Sequence, residues 1–165
     1  MNEPKLYRPL FTPGELEAIT GISAATQRDW RRRGFLAKAE DGKHQRYELF
    51  SIAYLAALRH LIDAGLPVAE ARLGASAAMN VVEHHAIRLD GITRRGSYPG
   101  GLASRYVVAL RQGGTVRAGS LAELEKLLDE EPARRGAVFV VLDCEQIGRL
   151  IQERAGKPLS EFSVR

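Results

Sequence analysis

The side chains best suited to chemistry in this 165-residue chain are cationic, and they are closely grouped. Arg28, Arg31, Arg32 and Arg33 form one group, and Lys43, His44 and Arg46 follow shortly after. A guanidinium can pair bidentately with the edge of guanine, and an amide such as Gln27 can pair with adenine. Lysine and arginine beside these would neutralise backbone phosphates. Ser23 and Ala24 just ahead are short, which lets the following residues approach a groove. The chemistry on offer is recognition of a polyanion, with double-stranded DNA as the expected partner. The alternative for Arg31 to Arg33 is a solvated helix end whose charges meet the negative end of the helix dipole.

Other chemistries lack their residues. Cys144 is the only cysteine, so an internal disulfide framework and a multi-cysteine metal site are excluded. At the start of a helix its thiol could acquire a lowered pKa and a redox role, but a small buried residue is the simpler reading. His84 and His85 are adjacent and expected to point apart on a helix. His44 and His60 have no acid or cysteine partner at a recognisable spacing. Glu123 with Glu125, and Asp129 with Glu130 and Glu131, read as solvated helix faces. No nucleophile elbow or metal-hydrolase signature occurs. The expectation is a protein with no catalytic residue, no metal ligand and no cofactor.

The elements that would position the cations are legible from caps and turns. Thr12 with Pro13 and Glu15 makes a capping box for a first helix carrying Leu16 and Ile19. Gly21 allows a tight turn, Ser23 caps a second helix running to about Arg33, and Gly34 stops it. Trp30 and Thr26 form the stripe expected to face the first helix. Asp41-Gly42 between short extended runs predicts a hairpin directly after the second helix. That hairpin is a wing, bringing Lys43, His44 and Arg46 to the phosphate backbone. Phe50 to Ala64 reads as a broadly apolar helix ended by Gly65.

In order and spacing this region resembles the winged helix-turn-helix domain of the MerR family of bacterial transcription regulators. The resemblance rests on Phe11-Thr12-x-Gly14-Glu15-Leu16, Thr20-Gly21-Ile22-Ser23, Thr26-x-Arg28-x-Trp30, Gly34-Phe35-Leu36, Arg46-Tyr47 and Ala64-Gly65-Leu66. It covers about residues 10–75. It implies that Arg28 and its neighbours in the second helix, with Arg46 and Tyr47 of the wing, touch DNA. Asp29 and Arg31 depart from the family pattern, where an aromatic and an acidic residue are usual, and Asp29 near phosphates would be repulsive. The resemblance further implies a homodimer, promoter distortion and a contact with RNA polymerase.

Val68 to about Ala86 reads as a helix whose small residues recur at three- and four-residue spacing. Under the resemblance, Val68, Ala71, Ala75, Ala78, Met79 and Val82 would pair with the same helix of a second copy. Packing within one chain is the alternative. Residues 88–104, with Arg94-Arg95-Gly96 and Pro99-Gly100-Gly101, read as an Arg/Gly-rich linker. Residues 105–165 read strand, strand, helix, strand, helix. There the Ala137–Leu142 run is expected to be a buried strand, Ser120 and Asp143 cap the two helices, and a right-handed crossover is expected.

The fold class expected is therefore a mainly α winged helix-turn-helix domain, residues 1–87, joined to a small α/β (α+β) domain, residues 105–165. The second domain would serve dimerisation or bind a small-molecule or protein effector. The DNA-contacting set is Ser23, Ala24, Gln27, Arg28, Arg31, Arg32, Lys43, His44, Arg46 and Tyr47. Net charge of +4 and a pI near 9.5 are compatible with that partner. No apolar run nears the ~20 residues of a membrane span, and the start lacks a signal core, so a cytoplasmic protein is expected. Two other readings stay open, beside an enzyme as the weakest. One is an architectural, excisionase-like DNA-bending protein, and the other is a protein-interaction module acting through residues 105–165.

Overall fold

The computed structural model describes residues 5–36, 44–89, 104–110, 114–130, 139–159 and 161–163. Chain order is β1 (Lys5–Tyr7), α1 (Pro13–Thr20), α2 (Ala24–Arg32), α3 (Leu49–Asp63), α4 (Val68–Leu89), β2 (Tyr106–Leu110) and β3 (Thr115–Ala118). It continues with α5 (Leu121–Glu130), β4 (Phe139–Asp143), α6 (Cys144–Ala155) and β5 (Glu161–Ser163). The molecule is mostly helical, with a small antiparallel sheet of order β3-β2-β4 in its C-terminal part. Among the described residues, no helix is long and apolar enough to cross a membrane.

Local signals account for the helix ends. Thr12 accepts from the Glu15 amide while the Glu15 carboxylate accepts from the Thr12 amide, closing the capping box. Gly21 ends α1 in the left-handed region at φ 72°. Ser23 accepts from the Thr26 amide at the start of α2. Asp143 caps α6 by accepting from the Gln146 amide.

One apolar core runs through both halves. It joins Phe11, Leu16, Ile22, Leu55 and Leu61 to Val107, Leu142, Ile147, Ile151 and Leu159. The boundary expected near residue 88 therefore does not interrupt the core. α6 lies against α1, α3 and α4, and α4 crosses between α3 and β2. Gly74 marks that crossing: an added Cβ would stand 2.8 Å from Leu61 Cδ1 and 2.9 Å from Ala109 Cβ. Glycine costs a helix ~1 kcal/mol against alanine, and here close approach explains why it is tolerated.

This packing corrects the expected dimer stripe. Ala71, Ala75, Ala78 and Val82 are fully buried inside a single chain, and Val68 and Met79 are partly buried. The small residues of α4 serve close contact with α3, α6 and β2, so the packing-within-one-chain alternative describes them.

The sheet also differs from expectation. β2 pairs antiparallel with both neighbours, with Val107 opposite Arg117 on one side and Leu142 on the other. β3 and β4 therefore run parallel but are not adjacent, and the connection through α5 crosses β2. β2 is the strand covered on both faces: Val107 and Ala109 join the main core, while Tyr106 and Val108 form a second cluster with Ala118 and Leu124. β4, expected to be buried, lies at the sheet margin with Val141 37% exposed. An apolar run matches a central strand in composition, but position in the sheet decides burial.

β1 and β5 pair antiparallel, Leu6 opposite Phe162, and bring the two ends of the chain together. The same seam is fastened elsewhere. Arg8 pairs with buried Glu83 at 2.9 Å, and Arg154 donates to the Ile19 carbonyl at 3.1 Å. Lys157 Nζ lies 2.6 Å from Glu15 Oε1 and donates to the Leu10 carbonyl.

The Lys157 hydrogen bond, with the Thr12 amide, holds Glu15 well below its ordinary 4.5, at about 2. A lowered folded-state value means stability that is complete above pH 4.5 and lost as pH falls towards 2. Lys157→Met is expected to cost ~0.2–1 kcal/mol near neutrality, the range for solvent-screened pairs. It should also flatten the acid limb of a stability–pH curve from denaturant melts. An unchanged acid limb contradicts this assignment.

Cys144 opens α6 but is wholly buried, and burial, with Asp143 adding to it, pushes its thiol up to about 12. A reactive thiol at this helix start is thus overturned. The native protein is expected to leave Cys144 unlabelled by a thiol reagent at mildly alkaline pH, with labelling only after unfolding. Rapid native labelling contradicts the packing of α6.

Candidate nucleic-acid interface

α1 and α2 meet around Gly21 as a helix-turn-helix, and burial fixes which side of α2 faces outward. Gln27 is fully buried, and Thr26, Trp30 and Arg31 are half-buried. Ala25, Arg28 and Arg32 are exposed at three- and four-residue spacing, so they share the outer face. Ala24 is half-buried, with its amide on the Glu17 carboxylate at 3.1 Å. Ser23 is occupied by its cap and by a 3.0 Å contact with the Thr26 hydroxyl.

Gln27 is a correction. Its amide nitrogen donates to the Pro13 carbonyl at 3.0 Å and to the Ile22 carbonyl at 2.9 Å. Its oxygen accepts from the Tyr47 hydroxyl at 3.3 Å. A polar side chain with its bonds satisfied is stable in a core, and here it staples α2 to the start of α1. In this arrangement it does not reach a base edge.

Tyr47 is likewise inside. Its backbone pairs with Phe11 through two 2.8 Å hydrogen bonds, and only 5% of the residue is exposed. Burial raises the phenol pKa against the opposing influence of Arg31, so the hydroxyl stays neutral. Arg31 Nη1 donates to that hydroxyl. The Gln27–Tyr47–Arg31 chain thereby ties α2 to the segment entering α3. Tyr47, expected to touch DNA, instead lies inside with its hydroxyl engaged by Gln27 and Arg31.

Asp29 does not stand alone against a phosphate. Partial desolvation would raise its pKa, but hydrogen bonds from Arg32 and Arg33 outweigh this and hold it below its ordinary value. The distances are 2.5 Å to Arg32 and 2.8 Å to Arg33, and both arginine side chains remain largely exposed. The departure from the family pattern at Asp29 is thus offset by its two neighbours.

His44 and Arg46 are exposed, and Arg46 Nη1 rests on the Gln45 carbonyl at 3.3 Å. Lys43 and the tip of the expected wing lie outside the described residues. Ala25 and Arg33 were absent from the expected contact set. The signal for Ala25 was the helical phase: once Gln27 is placed inward, Ala25, Arg28 and Arg32 fall together outside. His84 and His85 do not point apart; their rings meet edge to face at 5.5 Å. Among the described residues, no group of three or more potential metal ligands occurs.

No curated protein matches this chain. Residues 11–76, which run from the residue before the capping box through the first turns of α4, match the family model described as MerR HTH family regulatory protein. With the two helices about Gly21 and the cationic outer face of α2, residues 11–76 are similar to the helix-turn-helix of the MerR family.

Proposed function

We propose that this protein is a sequence-specific DNA-binding transcription regulator of the MerR type. The observation that carries the reading is the coincidence of the family match with an outward Arg28 and Arg32 on α2. In this reading α2 enters the major groove. Arg28 reads a base edge, Arg32 lies beside the backbone, and His44, Arg46 and Lys43 reach flanking phosphates. Gln27 and Tyr47 hold α2 at the right angle. Counterion release supplies much of the affinity, so binding weakens steeply with salt.

Regulators of this family bind DNA and usually act as dimers, and two copies reading two half-sites belong to the proposal. The contact between copies then uses a surface other than the α4 stripe, which is already filled. The C-terminal sheet and α5 are the part left to meet a partner or RNA polymerase.

Arg28→Ala is expected to lose about 1–3 kcal/mol of discrimination between preferred and random duplex. Arg46→Ala should weaken both duplexes alike. Competition binding on the two duplexes separates these effects, and equal losses from both variants overturn the assignment of roles.

A further inference from the structure

A cleft of about 270 Å³ opens between the end of α2, the chain entering α3, and α4. Its walls are aromatic, built from Phe35, Tyr47, Phe50 and Tyr54. Ser51 and Ser76 also line it. Arg46 also lines it, and the Arg72 guanidinium sits over the Phe35 ring, 5.0 Å from its centroid. Among the described residues, no carboxylate lines the cleft. The outward residues Ala25, Arg28 and Arg32 of α2 do not line this space.

Apolar walls with a few convergent polar groups are the usual make-up of a small-molecule site. Aromatic faces suit a flat ring, and Arg46 in the lining, with the Arg72 guanidinium stacked on the Phe35 wall, suits a negative charge. An apolar cavity of about 150 Å³ holds a benzene ring, so this cleft has room for fused rings with a carboxylate. We propose that the cleft binds a small planar aromatic carboxylate, and that its occupancy changes DNA binding through Tyr47.

Tyr47 is the connection. Its ring lines the cleft, while its hydroxyl holds Arg31 and Gln27 of α2. A ligand that moves the ring moves the support of the recognition helix. The coupling rests on the DNA-binding reading; the binding of the aromatic acid does not.

The test uses the full chain with 2-naphthoate, and 2-naphthamide as its neutral counterpart, by titration calorimetry. Naphthoate is expected to saturate one site, with the amide about tenfold weaker or more. Ser76→Trp should fill the cleft and abolish binding. Arg72→Gln should bring acid and amide close together. Ser76 has no part in the DNA interface, so Ser76→Trp should keep its melting curve and its DNA affinity without ligand. Saturating naphthoate is expected to change the DNA affinity of the unaltered protein by about fivefold or more, and that of Ser76→Trp not at all.

Absence of saturable binding overturns the site, as does binding that survives a folded Ser76→Trp or an acid preference that survives Arg72→Gln. Naphthoate binding with unchanged DNA affinity overturns the coupling. Naphthoate binding by a protein that does not bind DNA overturns the coupling and the regulator reading together, and leaves the cleft assignment standing.

Discussion

Gln27→Leu is expected to unsettle both the fold and DNA binding, because it removes a buried hub while nearly conserving volume. Two backbone carbonyls lose the Gln27 amide, and the Tyr47 hydroxyl loses its acceptor while keeping Arg31. A buried polar group left unsatisfied costs about 1–3 kcal/mol, so a loss near the upper end is expected. α2 then loses its staple to Pro13 and its tie to the segment entering α3. Preferred and random duplexes should both bind more weakly, with thermal stability falling in step. This pattern distinguishes Gln27 from Arg28, whose replacement should lower preference without lowering the melting temperature. A Gln27→Leu protein with unchanged stability and a narrow loss at one base position would show that Gln27 reads DNA directly.

Gly148→Val is expected to be the most damaging single change away from α2. A Cβ at Gly148 would lie 2.7 Å from the Ala86 backbone nitrogen and 2.9 Å from His85 Cβ. The obstacle is largely main chain, which cannot swing aside, so α6 must lift from α4. Overpacking of this kind typically costs about 1–3 kcal/mol, and a branched side chain against backbone belongs at or beyond the upper end. α6 also covers α1 and α3, so its displacement should loosen the helix-turn-helix as well. Denaturant unfolding of Gly148→Val should show a lower midpoint for the whole chain in one transition. An unfolding curve in which α1 to α3 keep their original midpoint would contradict the shared core.

What was legible in the sequence divides by range. The capping box at Thr12, the turn at Gly21, the cap at Ser23 and the stop at Gly65 act within a turn of chain, and residue type alone marks them. The family spacing was legible for the same reason. The phase of α2 was not. Gln27 counts as polar, and only the carbonyls of Pro13 and Ile22, brought together by the fold, make it a core residue. The α4 stripe announced close packing but not its partner, because Val107, Ile147 and Ile151 lie far along the chain. β1 and β5 are three residues each at opposite ends, and only their meeting makes either a strand. The resemblance marked Tyr47 as touching DNA, yet its ring is buried and its hydroxyl is held between Gln27 and Arg31.

The central claim is that the outward face of α2 recognises particular DNA. The most direct measurement is fluorescence-anisotropy binding of the full chain to DNA upstream of its own gene and to a random duplex, at low and moderate salt. Tight, salt-sensitive binding with clear preference for the upstream site is the expected result. Failure to bind either duplex at low salt would contradict the account, and binding without preference would contradict sequence recognition by α2.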